Sequence, residues 1–293
     1  MKTLLKHGEV SERVPDIFNT IKIKDGIARI TDGGFLLSIP TDKPDGFYKI
    51  KEARADVWRN LEIDDSEYEY LHFPEGLTST RVPFNVSELE WVSSAMSKDE
   101  KRFYLKGVYF DKCGMTATDG RIIKHIETLG EDLSAILPRF AVKIILDAAK
   151  EEKISDIEIL FTRDRAFVDI GRYSLITKLI DGSFPDYKRV IQNQNQFETL
   201  FDSEEFKPLL KKAKALDKHT QSIILSSNSC HIEESPEYTS KISGNWETQY
   251  MFNCGLLVSV NMKGIVGYNE DNTGGVKITD KNKICVVMPQ RIK

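Results

Sequence analysis

The chain predicts an α+β fold assembled from repeated units of one helix and three strands, and three features of its pattern carry that prediction. Between Val82 and Val190 the hydrophobic periodicity reads helix, three strands, helix, three strands. The stretch after it follows the same plan. Thr31-Asp32-Gly33 and Thr118-Asp119-Gly120 place the same turn in the first and middle segments, the mark of a duplicated unit. The expected division is a reduced first domain at 1–81, a middle domain at 82–192 and a last domain at 193–293. No linker is long, low in complexity or rich in Pro and Gly, so the domains are expected to pack as one rigid body.

In the first segment, Ile21–Ile30 reads as two strands joined by Asp25-Gly26, a strong short-range hairpin signal. Thr31-Asp32-Gly33-Gly34 turns the chain into a strand at Phe35–Ile39. One helix is expected at Ile50–Leu61, with Ala53, Val57, Trp58 and Leu61 buried and Lys51, Arg54 and Arg59 exposed. No helix is expected before the first hairpin.

In the middle segment, Ser87-Glu88-Leu89-Glu90 opens a helix with a capping-box pattern that runs to about Ser97. Strands are expected at Phe103–Phe110, Gly114–Thr118 and Arg121–Glu127, then a helix at Arg139–Glu152, then strands at Ile157–Phe161, Ala166–Ile170 and Ser174–Leu179. In the last segment, Asp202 or Ser203 caps a helix through Asp217. Strands at Ser222–Leu225, Cys230–Glu233 and Thr239–Gly244 precede a helix near Asn253–Ile265, and a pair at Gly275–Thr279 and Ile284–Met288 closes the plan.

Composition narrows the function. At 293 residues the chain has room for two or three domains. With 40% hydrophobic and 29% charged residues it has ordinary soluble globular composition. No apolar run reaches membrane length and Met1–His7 lacks a signal-peptide core, so a cytoplasmic location without a membrane partner is expected. A net charge of −4 excludes a surface that grips nucleic acid everywhere, but allows a local basic lining. Cys113, Cys230, Cys254 and Cys285 lie far apart and read as free thiols. The five histidines are scattered, and neither metal nor cofactor is expected.

Two helices concentrate the basic charge. In the helix that begins at Ser203, Phe206, Leu209, Leu210, Ala213 and Leu216 share one face. Lys207, Lys211, Lys214 and Lys218 recur on another. Arg139, Lys143 and Lys150 do the same on the helix Arg139–Glu152. Like charges at i,i+4 repel, so an anionic partner explains such a stripe, as does a plain solvated face.

The stretch Leu175–Ile191 ties the halves together. Leu175–Ile180 alternates as a half-buried strand, Asp181-Gly182 turns, and Pro185 holds Phe184 extended. Tyr187, Val190 and Ile191 then resume an apolar pattern, read as a strand. Strand, rigid elbow, strand suits a connector between two β-rich domains. With Thr116-Ala117-Thr118-Asp119-Gly120 upstream and Val286-Val287-Met288-Pro289-Gln290-Arg291-Ile292 at the end, the elbow resembles the crossing between the second and third domains of bacterial β sliding clamps. These are the β subunits of DNA polymerase III, and shortened virus-encoded members are included in the resemblance. It covers Val82–Lys293 well and the first segment loosely.

The resemblance implies a DNA clamp fold, with helices lining a ring and antiparallel sheets outside. It implies a replication processivity factor that encircles duplex DNA without reading sequence and tethers a polymerase. Further implied partners are other proteins bearing a clamp-binding motif, a clamp loader and copies of itself in a dimeric or trimeric ring. Partner peptides would enter a pocket whose walls match Leu105, Thr118, Gly120, Ile123, Pro185, Arg189, Val190, Val286, Met288, Pro289 and Gln290. Arg102 and Tyr104 match a DNA-touching loop, and Arg139, Lys143, Lys150, Lys207, Lys211, Lys214 and Lys218 would face the DNA. Arg121-Ile122 stands where the family usually has His-Arg, and Gln290 where Met is frequent. A clamp-like adaptor for transcription or repair factors is the alternative. A carboxylate hydrolase using Asp119 and Asp181 is the remote one, because Asp in Asp-Gly is the default turn residue; no catalytic role is expected.

Overall fold

The computed structural model describes residues 1–8, 15–66, 68–72, 78–128, 130, 132–191, 195–216, 221–271 and 274–291. The first segment runs α1 (Lys2–His7), β1 (Thr20–Lys24), β2 (Ile27–Thr31), β3 (Phe35–Pro40), β4 (Gly46–Lys49), α2 (Ile50–Arg54) and β5 (Asn60–Leu61). The middle one begins with β6 (Thr80–Asn85), α3 (Val86–Ser93), a 3₁₀ turn at Glu100–Leu105, β7 (Gly107–Asp111), β8 (Gly114–Thr118), β9 (Ile122–Glu127) and β10 (Ser134–Pro138). It continues with α4 (Arg139–Glu152), β11 (Asp156–Phe161), β12 (Arg165–Ile170), β13 (Tyr173–Lys178) and α5 (Lys188–Ile191). The last comprises β14 (Phe197–Asp202), a 3₁₀ turn at Ser203–Phe206, α6 (Lys207–Leu216), β15 (Ser222–Ile232), β16 (Ser235–Asn253), α7 (Cys254–Val260), β17 (Lys263–Tyr268), β18 (Val276–Asp280) and β19 (Lys283–Val287).

These elements form two compact units. The first unit is Met1–Glu90, Lys106–Lys112 and Gly130–Gly182. It carries an antiparallel sheet in the order β5-β4-β1-β2-β3-β13-β12-β11-β6 and a separate pairing of β7 with β10. α4 buries Ala141, Val142, Ile144, Ile145, Ala148 and Ala149 in its core. The second unit is Trp91–Leu105, Cys113–Leu129 and Ser183–Lys293. Here the hairpin β8–β9 is continued by β19, β18, β17 and β14. The middle segment thus lends β13 to the sheet that holds the first segment's β3, and β9 to the sheet that holds the last segment's β19.

The duplication is visible atom by atom. Thr31 Oγ1 donates to Phe35 O and accepts from the Gly33 N–H, while Asp32 Oδ1 accepts from the Gly34 and Phe35 N–H groups. Thr118, Asp119, Gly120, Arg121 and Ile122 repeat that pattern, with Gly33 and Gly120 both at positive φ, 85° and 90°. A side chain at either glycine would strain the turn.

The three strands expected after α6 are present in folded form. β15 reverses at Ser227 (φ 51°), where the Glu233 N–H returns to Ser222 O. Its first arm pairs with the end of β16 and its second arm with the start. The expected helices Arg139–Glu152 and the one capped by Asp202 also form, the latter with Asp202 accepting from the Glu204 N–H at 2.9 Å.

Several expectations need correction. A helix does precede the first hairpin: α1 packs on α4, with Thr3 donating to Glu151 and Lys6 and His7 meeting Asp147. The helix expected at Ile50–Leu61 ends at Arg54, because Asp56 turns to φ 57° and Val57 becomes exposed. Phe103–Leu105 lies in a 3₁₀ turn and the strand starts at Gly107. The helix near Asn253 stops at Val260 with Asn261 at φ 51°, which releases Lys263–Tyr268 to pair with β14. After Pro185 the chain makes a helical turn, α5, in place of a strand: Val190 and Ile191 donate to Tyr187 O. Tyr187, Val190 and Ile191 stand at i, i+3 and i+4, a helical spacing that a short apolar run does not separate from a strand.

Candidate functional site

Within the second unit, four separated stretches close on one cavity of about 390 Å³. The 3₁₀ turn brings Arg102, Tyr104 and Leu105; the β8–β9 turn brings Thr118, Gly120, Arg121 and Ile123. The elbow adds Pro185, Asp186, Tyr187 and Val190, and β19 with its exit adds Val286 and Met288. Thr118, Ile123 and Val286 are cross-strand partners in one row, so they share a sheet face and form the floor. Leu105, Thr118 and Val286 are buried, whereas Met288 is 38% exposed at the rim. Its N–H donates to Arg121 O at 2.9 Å, which pins the chain's end to the β8–β9 turn.

The elbow supplies the opposite wall. Tyr187 is buried with its ring 5.2 Å from that of His125, and Val190 follows one helical turn later. Two guanidiniums border the same space. Arg102 Nε donates to Asp99 Oδ2 at 3.1 Å and Arg121 Nη2 to Asp119 Oδ2 at 3.1 Å. The Lys101 N–H and then Arg102 hold the Asp99 carboxyl below its usual range.

Leu105, Thr118, Gly120, Ile123, Pro185, Val190, Val286 and Met288 therefore come together as expected from the sequence. Three others stand outside the lining. Arg189 is 85% exposed and 3.8 Å from Asp186. Pro289 is not part of the lining, and Gln290 is committed to the β15–β16 side: its N–H donates to Met251 O and its Oε1 accepts from Ser222 Oγ. Arg102 and Tyr104, assigned to DNA by sequence, border the pocket. Arg121, Asp186 and Tyr187 also border it and were not anticipated. Tyr187 carried a signal in its spacing from Val190 and Arg121 in its departure from the family's His-Arg; Asp186 carried none.

On the other face of the same strands lies a buried cation. Lys124 is 1% exposed; it donates to Ser94 Oγ at 2.8 Å and its Nζ sits 4.7 Å from the Trp91 ring centre. Burial pulls its amine down to about 8. Beside it, burial pushes the Cys285 thiol up to about 12.

The basic helices are as charged as the sequence reads. Lys207, Lys211 and Lys214 are exposed on α6; Lys207 meets Glu204 at 2.6 Å, and no ion pair engages Lys211 or Lys214 among the described residues. Leu216, placed by periodicity on the apolar face, is 51% exposed in the last turn. Lys218 lies outside the described residues. On α4, Lys143 and Lys150 are exposed and Arg139 is half-buried.

Comparison with known proteins places the fold. Residues 86–186 match the family described as DNA polymerase III beta subunit, central domain. The chain is 33% identical over 129 residues to the beta sliding clamp of Chlamydia muridarum, and 29% identical over 160 residues to that of Caulobacter vibrioides. These matches cover 41% and 49% of this chain but only 35% and 41% of those relatives, so the chain spans well under half the length of each by sequence. In structure the likeness runs throughout. The DNA polymerase III beta subunit of Thermotoga maritima superposes with a TM-score of 0.81 over 99% of this chain and 96% of its own, at 16% identity. The sliding clamp of Bartonella birtlesii bound to griselimycin gives 0.80 over 99% and 96%, at 18% identity.

Proposed function

We propose that this chain, whose residues 86–186 match the DNA polymerase III β-subunit central domain and whose fold is that of the bacterial sliding clamps, is a DNA sliding clamp. Copies of it close around duplex DNA and hold a replicative polymerase by a short peptide. The observation that carries this reading is the cavity built from the 3₁₀ turn, the β8–β9 turn, the elbow and the chain's end. Its floor is aliphatic, its rim residue Met288 adapts to different shapes, and Gly120 keeps the turn free of a side chain that would block approach.

Burying two or three partner side chains there contributes roughly 1.5–3 kcal/mol each. Ordering the peptide and losing its free motion offsets much of that, leaving binding of about micromolar strength. Partners then exchange. Lys211 and Lys214 on α6, with Lys143 and Lys150 on α4, supply the sequence-independent attraction that sliding on DNA requires. Asp119 is occupied by its own turn, its Oδ1 accepting from the Arg121 and Ile122 N–H groups.

The test is direct. Met288→Asp puts a charge on the rim of an apolar cleft, and is expected to weaken binding of an apolar-anchored peptide at least tenfold while the melting curve stays unchanged. Equal binding by the variant and the parent protein, measured by fluorescence anisotropy, overturns the assignment of the pocket.

A further inference from the structure

We propose that the first unit carries a second docking groove, built on the Thr31-Asp32-Gly33 turn to the same plan as the pocket, and that the chain's own segment 68–72 occupies it as a built-in ligand. An outside peptide of the same chemistry, two tyrosines about an acid and then a leucine, enters when that strap lifts. The groove and the pocket belong to different units, so each can be probed with the other blocked.

The pocket's floor is laid down twice. In the second unit it is the row Thr118, Ile123 and Val286, and the Met288 N–H closes it on Arg121 O at 2.9 Å. In the first unit Thr31 pairs with Leu36 and Leu36 with Ile176, and the Lys178 N–H closes the row on Gly34 O at 2.8 Å. The residues stand at the same register in both copies, so each row shares one sheet face. One wall is repeated as well. A 3₁₀ turn precedes three neighbouring strands in each unit: Glu100–Leu105 before β7, β8 and β9, and Asp16–Asn19 before β1, β2 and β3. Arg102 of the former turn lies over Gly120, where a Cβ would stand 2.6 Å from its Nη1. Phe18 of the latter lies over Gly33, its ring 3.5 Å from the place of a Cβ.

What differs is the occupant. Tyr68 packs edge-on against Phe18, with ring centres 5.8 Å apart, and its hydroxyl lies 4.0 Å from the place of a Gly33 Cβ. Tyr70 follows, 4.8 Å from Tyr68 ring to ring. Its hydroxyl donates to Asp65 Oδ2 at 2.9 Å, and the Lys22 ammonium sits 4.7 Å from its ring centre. Arg165 Nη1 donates to His72 O at 2.5 Å. Strap and groove leave about 150 Å³ between them, against about 390 Å³ in the pocket. Yet Tyr68, Tyr70 and Leu71 are only half-buried, and segment 68–72 belongs to no strand among the described residues. A segment outside the ladders opens at lower cost than one within them. Being tethered, the strap competes at an effective concentration of about millimolar, so an outside peptide gains entry once the strap's own contacts are weakened.

The test titrates a labelled, end-blocked Tyr-Glu-Tyr-Leu-His peptide against the full-length protein and follows anisotropy. Tyr70→Phe takes the Asp65 bond from the strap and leaves it to the peptide. Binding is then expected to tighten about fivefold over the unaltered protein, the worth of one hydrogen bond. Tyr68→Ser with Tyr70→Ser empties the groove further, and the gain is expected to exceed about tenfold. Adding Arg165→Gln to that double variant removes the donor to the last residue and should return most of the gain. An unlabelled peptide with leucine and phenylalanine anchors, in excess to fill the pocket of the second unit, should not displace the label.

Equal binding by the unaltered protein and by both tyrosine variants means that the strap does not guard the site, and overturns the inference. Absence of binding by all three proteins overturns it too. Where the double substitution prevents folding, seen as loss of the cooperative melt, the conservative Tyr70→Phe decides alone. Displacement by the anchor peptide, together with loss of binding in Met288→Asp, places the label in the pocket; that result overturns the second groove and leaves the pocket standing. A label retained in Met288→Asp while the anchor peptide binds nothing supports the groove and removes the reading of the pocket instead.

Discussion

Replacing Lys124 by methionine should stabilise the protein, because its ammonium is buried against Trp91 with the Ser94 hydroxyl as its acceptor among the described residues. Its folded pKa of about 8 lies below the ordinary 10.5. The unfolded chain therefore binds more protons between those values, and this residue's contribution to stability rises with pH across that window. Below pH 8 the penalty is present in full, about 3 kcal/mol. Lys124→Met removes it but gives up the ring and hydroxyl contacts, for a net gain of about 1–2 kcal/mol at pH 7. Urea denaturation of both proteins should show the gain vanish by about pH 10, since comparing them at each pH cancels the other titrating groups. Glu151 behaves oppositely. Burial raises its carboxyl, but the Thr3 hydroxyl and N–H, the Tyr173 hydroxyl and the Met1 ammonium outweigh that and hold it at about 2. Its contribution is complete above the ordinary value near 4.5 and is lost as pH falls towards 2. Glu151→Gln should cost about 2 kcal/mol at pH 7, with the difference between the two proteins closing in acid.

At the scale of elements, α6 carries the clearest functional expectation. Lys211→Glu with Lys214→Glu exchanges two exposed cations for anions without touching the buried Leu209 and Ala213. Retention on closed circular DNA should fall severalfold at physiological salt, and the effect should fade as salt rises; unchanged retention counts against a DNA-facing role for this helix. The bounds of α4 and the capping of α6 by Asp202 were legible in the sequence because each joins a cap or boundary signal to a long apolar period. The paired Thr-Asp-Gly turns were legible for the same kind of reason: side chain and backbone agree on one conformation. Short elements were not. α1 has six residues, too few for a periodic signal, and is held by Glu151 and Asp147 from a distant helix. The turn α5 and the true end of α2 were decided by local backbone bonds and by Trp58 packing on Tyr48. In the pocket, the apolar walls and the departure at Arg121 could be read from motifs, whereas Asp186 enters only because folding brings the elbow to the β8–β9 turn.

For the whole molecule, a net charge of −4 with exposed lysines gathered on α6 and α4 favours a partner met locally and loosely over one gripped everywhere. Self-assembly is the premise of encirclement, and static light scattering is expected to give a mass of two or three chains. A monomer at micromolar concentration and moderate salt would be incompatible with a closed ring that forms unaided. The middle segment shares its strands in both directions, giving β13 to β3 and β9 to β19. Its ends are therefore not places where the molecule can be cut. A fragment beginning at Val82 and stopping before Asn193 would present two orphaned sheet margins, and would recruit other chains through them. Recombinant dissection of this protein should follow the weave of its sheets and leave the tidy thirds of its sequence alone.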